Sequence, residues 1–594
     1  MAKGKIVVAL VILSTILALI LFVPYNKGGN NPDKFKDSEY YDLICGIDDY
    51  LVENSKKPPK NNFESMIKMF KRIFGKEEDT NKHSMSYYFG QESAVGYKDI
   101  SVINENAYYQ TGDEIITTAD YIYSLEKMNS SSEVLRIYSA DGENSVLINE
   151  YAMPNVMESS KIHPEGMFLS EDGKTLTLVG KWYERQYGYT AAVSLNVSDP
   201  RSITEKGSYT VYGDAAGAYM YDDKIVIATK CGFSANDIDY SRPSTFVPLL
   251  DFGNGYKYMK MEDISIPNGI SSCYCVFSVF DASSFENLDN QAIMGYASAY
   301  FDGSNIFAEI WSIVEESSAD TFHLSRTTDI AILSFAGGII EYKDAFSVPG
   351  YMADNRNCID EKEGYLRLVV STIDGYWVKE GGEEIFRENY NISLYVYDLE
   401  NKSFAYKAED FAVNGEILRK VRFKGDNLYI CTEAETNADT PVYSFDLSDY
   451  GNVIFKDKVD TVGSHLATAD MGEDMFLGLT KDKENVSFIL YKEEDGNMIE
   501  VDKFNVAGGF YYISMLDAEN NVCGFLAYMK YSGNTSDTKL YYILIQIDGE
   551  QLVQLDKIEL DREKYKNVDV SSAYCDGCLY IFSSAGNIIR EITE

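Results

Sequence analysis

The chain has 594 residues, a formal net charge of −40, and 47 Tyr alongside 30 Phe. Such an acidic surface repels phosphate backbones, which excludes nucleic acid and anionic lipid as partners of the bulk of the chain and leaves cationic groups or divalent ions open. The length exceeds what one ordinary core needs, so the chain is either several domains or one repetitive array, and aromatic residues in short alternating runs favour β structure.

The first element is MAKGKIVVALVILSTILALILFVPYN, with 18 uncharged residues from Ile6 to Val23. At about 1.5 Å rise per residue this nearly spans a hydrocarbon core of about 30 Å. Phe22, Val23, Pro24 and Tyr25 stand where a signal peptidase wants small residues, so the segment reads as an uncleaved anchor, with a removed signal peptide as the alternative. Lys3 and Lys5 precede the span and the chain beyond it is acidic, which keeps the lysines cytoplasmic and places the rest outside the membrane. The expected organisation is a cytoplasmic stub and transmembrane anchor over 1–25, a linker with short helices over 26–94 and a β domain over 95–594.

Two amphipathic segments follow. SEYYDLICGIDDYLVEN carries Tyr40, Leu43, Ile44, Ile47 and Leu51 on one helical face, and NNFESMIKMFKRIFG carries Phe63, Met66, Ile67, Phe70 and Phe74. Asn61 with Glu64 forms a capping box and Gly75 is the stop. Lys68, Lys71 and Arg72 border the second apolar face, which suits either docking on the β domain, the favoured reading, or a membrane surface.

From there a phrase of strand, turn and strand recurs: DYIYSLEK, KTLTLVGK, DKIVIATK, SNIFAEIW, GYLRLVVST, GDNLYICT, EDMFLGLT, NNVCGFLAYM and DGCLYIFS. Each is followed by an alternating partner that often ends in Asp or Gly, as in VLRIYSADG or PVYSFDLSDYG. A meander every 50 to 60 residues, with no helical period between strands, matches a β-propeller. Nine copies are countable, and propellers typically have four to eight blades. The expectation is therefore an all-β ring of about eight four-stranded blades, one copy being peripheral, within a range of seven to nine. The last copy has no room for an outermost strand, and DISVINENAYY, Asp99 to Tyr109, is the expected donor that closes the ring. Cys231 to Ser272 interrupts the third meander and reads equally as an insertion that rims the binding face or as a tolerated surface excursion.

In order, GDEIITTADYIY, STFVPLLDF, DIAILSFAGGIIEYKDAFS with VPGYMADNRNCIDEKEGYLRLVVST, and VRFKGDNLYICT with PVYSFDLSDYGN resemble the bacterial family of secreted or membrane-anchored proteins with a C-terminal β-propeller distantly related to WD40 repeats. The resemblance runs from about Gly112 to the end and implies propeller fold and extracytoplasmic location, with no catalytic residues to carry over. The chain departs from the family's pattern at Ile115 to Asp120 and at Ser464-His465-Leu466.

Chemistry-bearing patterns are sparse. His83, His163, His323 and His465 are scattered, and HExxH, GxSxG and a strand-to-helix GxGxxG are missing. Nine cysteines do not form a stapled framework; Cys273 and Cys275 share one face of a strand, and Cys575 and Cys578 flank Asp576-Gly577, which reads as a hairpin turn with a disulfide as the minor alternative. Asp113-Glu114 and DEKEG, Asp360 to Gly364, are carboxylate clusters suited to Ca²⁺ or to acid–base work, and Tyr376 and Trp377 near a turn suit stacking on a sugar. The favoured function is a membrane-anchored extracytoplasmic binding or scaffold module of the cell envelope, non-catalytic, with an envelope protein or cell-surface polymer as partner. The alternative is a cell-surface glycan hydrolase or lyase using mouth carboxylates such as Asp360 and Glu361. No cofactor and no catalytic or cofactor-binding residue is assigned, and the metal question stays open.

Overall fold

The computed structural model describes residues 31–56 and, with short breaks, 114–592. Strand formation follows the sequence pattern: in each unit the second strand is buried on both faces and the outer strands alternate. The recurrent turns are short because their residues tolerate left-handed backbone. Asp222-Asp223 (φ 50° and 54°), Glu363-Gly364 (55° and 81°) and Asp576-Gly577 (50° and 75°) each close a two-residue hairpin with both central residues at positive φ, the geometry whose twist matches that of the flanking strands.

These meanders build nine blades, over 115–152, 163–212, 214–294, 297–349, 359–408, 416–462, 464–506, 509–560 and 570–591. The expectation of eight is corrected: the copy taken as peripheral is a blade in its own right. A sheet that is apolar on both faces must be covered on both, so every seam between consecutive blades holds a buried cluster. Blades 1 and 2 share Tyr123, Leu135, Leu178 and Val193, and blades 7 and 8 share Phe488 and Phe525, whose ring centroids are 4.6 Å apart.

The ninth blade closes the ring against the first. Ile122 and Tyr138 pack with Cys578, Tyr580 and Phe582, the rings of Tyr138 and Phe582 lie 5.0 Å apart, and Asn587 Nδ2 donates to the Tyr138 hydroxyl at 2.5 Å. Lys127 pairs with Asp569 at 3.1 Å across the same seam. Among the described residues this blade has three strands, Val570–Cys575, Cys578–Ser583 and Ile588–Glu591. The proposed strand donor, 99–109, lies outside the described residues, as do the anchor at 6–23 and the second helix at 61–75. Among the described residues no helix is long and apolar enough to cross a membrane.

The first helical segment forms as read. Helix α1 (Tyr41–Lys56) buries Leu43, Ile44 and Ile47 completely, against the insertion and blades 2 and 3. Gly46 permits this approach, since a Cβ there would stand 2.8 Å from Ile270 Cδ1. The Tyr40 hydroxyl donates to the Met259 carbonyl at 2.8 Å, and Tyr40 and Phe246 meet edge to face at 6.3 Å.

The insertion pairs with the outer strands of two blades. Its strand Leu249–Asp251 pairs with the outer strand of blade 2, Thr204–Tyr212, and Tyr256–Tyr258 extends that sheet by one more. Ile264–Ser265 pairs in parallel with the outer strand of blade 3. The insertion therefore straps the outer rim of the seam between blades 2 and 3. Blades 4 and 5 depart from the repeat in another way. Their central hairpins, Asn305–Ser317 with Phe322–Ala336 and Tyr365–Glu380 with Glu383–Asp398, outrun their neighbours and pair with each other at His323↔Tyr376, Leu324↔Gly375 and Ser325↔Asp374.

Candidate functional site

The strapped seam encloses a cleft of about 370 Å³, within the size range of small-molecule sites. Three elements build its walls. The second hairpin of blade 2 supplies Trp182 and Tyr189, stacked with centroids 4.4 Å apart. The outer strand supplies Tyr212, which meets Tyr189 edge to face at 5.5 Å. The insertion supplies Phe246, Asp251 and Tyr256. Tyr274, on the third strand of blade 3, fixes the roof by donating its hydroxyl to the Phe246 carbonyl at 2.7 Å.

Burial and polarity are unevenly shared. Trp182 is 2% exposed, and its indole N–H has no hydrogen-bond partner among the described residues, which costs about 1–3 kcal/mol. Tyr212 and Tyr256 are open at 42% and 59%. Among the described residues Asp251 is the one charged residue in the lining, and its Oδ1 accepts the Gly253 N–H at 2.9 Å. Helix α1 stands behind this roof, because Tyr40 packs on Phe246 and the Tyr240 hydroxyl donates to Asp48 at 3.4 Å. Nothing in the sequence marked the cleft as a site: its aromatic residues come from three separated segments, and only the insertion itself was a signal.

The carboxylates singled out from sequence are occupied structurally. Asp360 accepts from Arg367 Nε at 2.8 Å and from its Nη2, with the two side chains 12% and 3% exposed. Arg367 then reaches blade 6, donating to the Gly425 carbonyl at 2.6 Å and lying over the Phe423 ring at 5.1 Å. Glu361 accepts the Gly364 N–H at 2.7 Å and holds the turn. Glu114 is half-buried at the start of blade 1, while Asp113 lies outside the described residues. Among the described residues no three His, Cys, Asp or Glu converge on a metal position.

Other expectations fall into place similarly. Cys575 and Cys578 face each other across the Asp576-Gly577 turn as free thiols. Cys273 and Cys275 share a strand face, also free, and burial pushes the Cys275 thiol up to about 12. His163 lies 3.1 Å from Glu133. Tyr376 and Trp377 sit in the paired hairpins of blades 4 and 5, away from the strapped seam.

Buried carboxylates that the sequence reading passed over lie inside the seams. Glu309 accepts from the Tyr300 hydroxyl at 2.8 Å and from the Met352 N–H at 3.3 Å. Glu126 accepts from Tyr138 at 2.8 Å and Arg136 at 2.6 Å. Burial raises both above the ordinary value of 4.5. Each carboxylate oxygen has a partner in the surrounding strands, so the two glutamates brace them.

Residues 109–486, well over half of the chain, match the beta propeller domain family. The chain belongs to that family. This beta propeller is also similar to an uncharacterized protein of Methanocaldococcus jannaschii, 29% identical over 161 residues, which are 27% of this chain and 24% of that one. It thus spans about a quarter of that relative's length. Among solved structures it is similar to the acylaminoacyl peptidase of Pyrococcus horikoshii, at 10% identity and TM-score 0.27, over 75% of this chain and 59% of that chain. It is similar too to the β-propeller domain of the Trilobed protease from Pyrococcus furiosus, at 11% identity and TM-score 0.28, over 67% and 95%. Neither likeness bears on activity.

Proposed function

We propose that this beta propeller is a membrane-anchored, extracytoplasmic and non-catalytic binding module of the cell envelope, and that it binds through the cleft between blades 2 and 3. The observation that carries the reading is the strapped aromatic cleft itself. An insertion and a helix from outside the repeat are both spent on roofing one seam out of nine, and they leave exposed tyrosines at its mouth. The fate of Asp360, a partner of Arg367 inside a blade seam, weighs against the hydrolase alternative. The apolar run Ile6 to Val23, read as an anchor, supports the location: eight residues, 24–31, separate it from the 3₁₀ turn Pro32–Phe35, a distance of at most about 32 Å. On this reading the strapped rim is the membrane-proximal edge of the ring.

The test uses the full chain in membranes of the producing cell. Protease added to cells stripped of their wall should digest the propeller, and a chemical cross-linker should yield one defined adduct that is lost in the Tyr189→Ala/Tyr212→Ala double variant. A protected propeller, or an adduct indifferent to the double variant, would overturn the reading.

A further inference from the structure

Resting on the cleft as the binding site, we infer that its ligand is a small organic cation, an ammonium carrying methyl or methylene groups. The lining decides this by elimination. Among the described residues its rings include Trp182, Tyr189, Tyr212, Phe246, Tyr256 and Tyr274, its one charge is the Asp251 carboxylate, and no Lys, Arg or His lines it. Two bases of the insertion are engaged elsewhere, Arg242 with Asp239 at 2.8 Å and Lys257 over the Phe252 ring at 5.1 Å.

An anionic ligand would meet a carboxylate, no counter-charge among the described residues of the lining, and a chain of net charge −40. A bare metal ion needs several hard oxygen ligands, and the cleft offers one carboxylate. A neutral apolar ligand would strip water from Asp251 without replacing it, which is costly for a charge. An alkylated ammonium suits the rings and the carboxylate together: its positive charge is drawn to aromatic surface and to Asp251, and its carbon shell suits apolar walls, while the Trp182 indole N–H calls for an acceptor such as a hydroxyl on the attached chain. The volume of about 370 Å³ accommodates such a group with a short chain attached. The surrounding negative field would raise its local concentration, an effect that salt screens.

The experiment is calorimetric titration of the full chain in detergent with choline, with its uncharged isostere 3,3-dimethylbutan-1-ol, and with maltohexaose. Choline should bind at least tenfold more tightly than the isostere and lose affinity between 0.05 and 0.5 M NaCl. Asp251→Asn, which keeps the acceptor for Gly253, should weaken choline about tenfold. Tyr256→Leu, at an exposed ring, should weaken it without altering the fold. Phosphatidylcholine vesicles separate the sources: retention on them in a choline-competed manner assigns a lipid headgroup, and choline binding without retention assigns a free ligand. Equal affinity for the isostere, or binding of maltohexaose in place of choline, would overturn the inference. If choline fails while the Tyr189/Tyr212-dependent adduct persists, the ligand class is wrong and the binding reading stands. If both fail, both are wrong.

Discussion

Arg367 and Asp360 show how a single pair can carry the meaning of a motif. From sequence, DEKEG is a run of carboxylates available for chemistry; in the fold, Asp360 is directly opposite Arg367 on the neighbouring strand and the pair is nearly solvent-free. Removing one member of such a pair strands the other, which costs about 3–5 kcal/mol. Asp360→Ala should therefore lower the urea midpoint strongly, whereas Glu361→Gln, which keeps an acceptor for the Gly364 N–H, should change stability by less than about 0.5 kcal/mol. Equal effects would show that the pair is not the seam's anchor. Gly180 poses a sterically sharper case, because a Cβ there would lie 2.1 Å from the His163 carbonyl. Gly180→Ala should force the first two strands of blade 2 apart and destabilise the protein by more than about 1 kcal/mol, read from the same titration.

At the level of elements, the repeat and α1 were legible because each has one period and local turn chemistry. Asp576-Gly577 announces its hairpin, and Tyr40, Leu43, Ile44, Ile47 and Leu51 announce a helical face. What that face docks against was not legible, since the insertion's contacts join residues more than 200 positions away, as Tyr40 joins Met259. The cleft was hidden for the same reason: Trp182, Tyr212 and Tyr256 come onto one sheet only when the insertion adds its strands to blade 2. Ile47 lies fully buried between α1 and the strap, so Ile47→Ala should cost about 2–5 kcal/mol locally. Hydrogen exchange checks this: amides of 243–264 should lose protection in the variant while those of blades 5 to 8 keep theirs. Uniform loss across the ring would show that α1 is integral to the global fold and not a brace on the strap.

For the whole molecule, charge and closure set the behaviour. Glu126 and Glu309 bind protons more tightly in the native state than in the unfolded chain, because burial raises them above 4.5. Their contribution to stability is full below that ordinary value and fades as pH rises through their native values. Asp172, Asp398 and Asp446 are held below 3.8 by hydrogen bonds in their turns, so their contribution survives until pH falls under 3.8. Relief of self-repulsion on a chain of −40 acts in the first direction. The melting temperature by scanning calorimetry should thus be higher at pH 5.5 than at pH 8, and a fall over that interval would contradict the assignment.

The repeat count itself is nine, and only the usual range of four to eight blades argued for eight; the three-stranded last copy is a blade because its faces are covered by blades 8 and 1. Closure makes the seam between the ends as necessary as any other. The most direct measurement is thermal unfolding of residues 32–594 beside the same fragment ending at 569. With the ninth blade removed, Ile122 and Tyr138 on one side and Leu544 and Tyr542 on the other lose their cover, so the entire propeller should melt at a markedly lower temperature with diminished cooperativity. A truncated form that keeps the melting temperature and gives up only the enthalpy of one blade would contradict a closed ring.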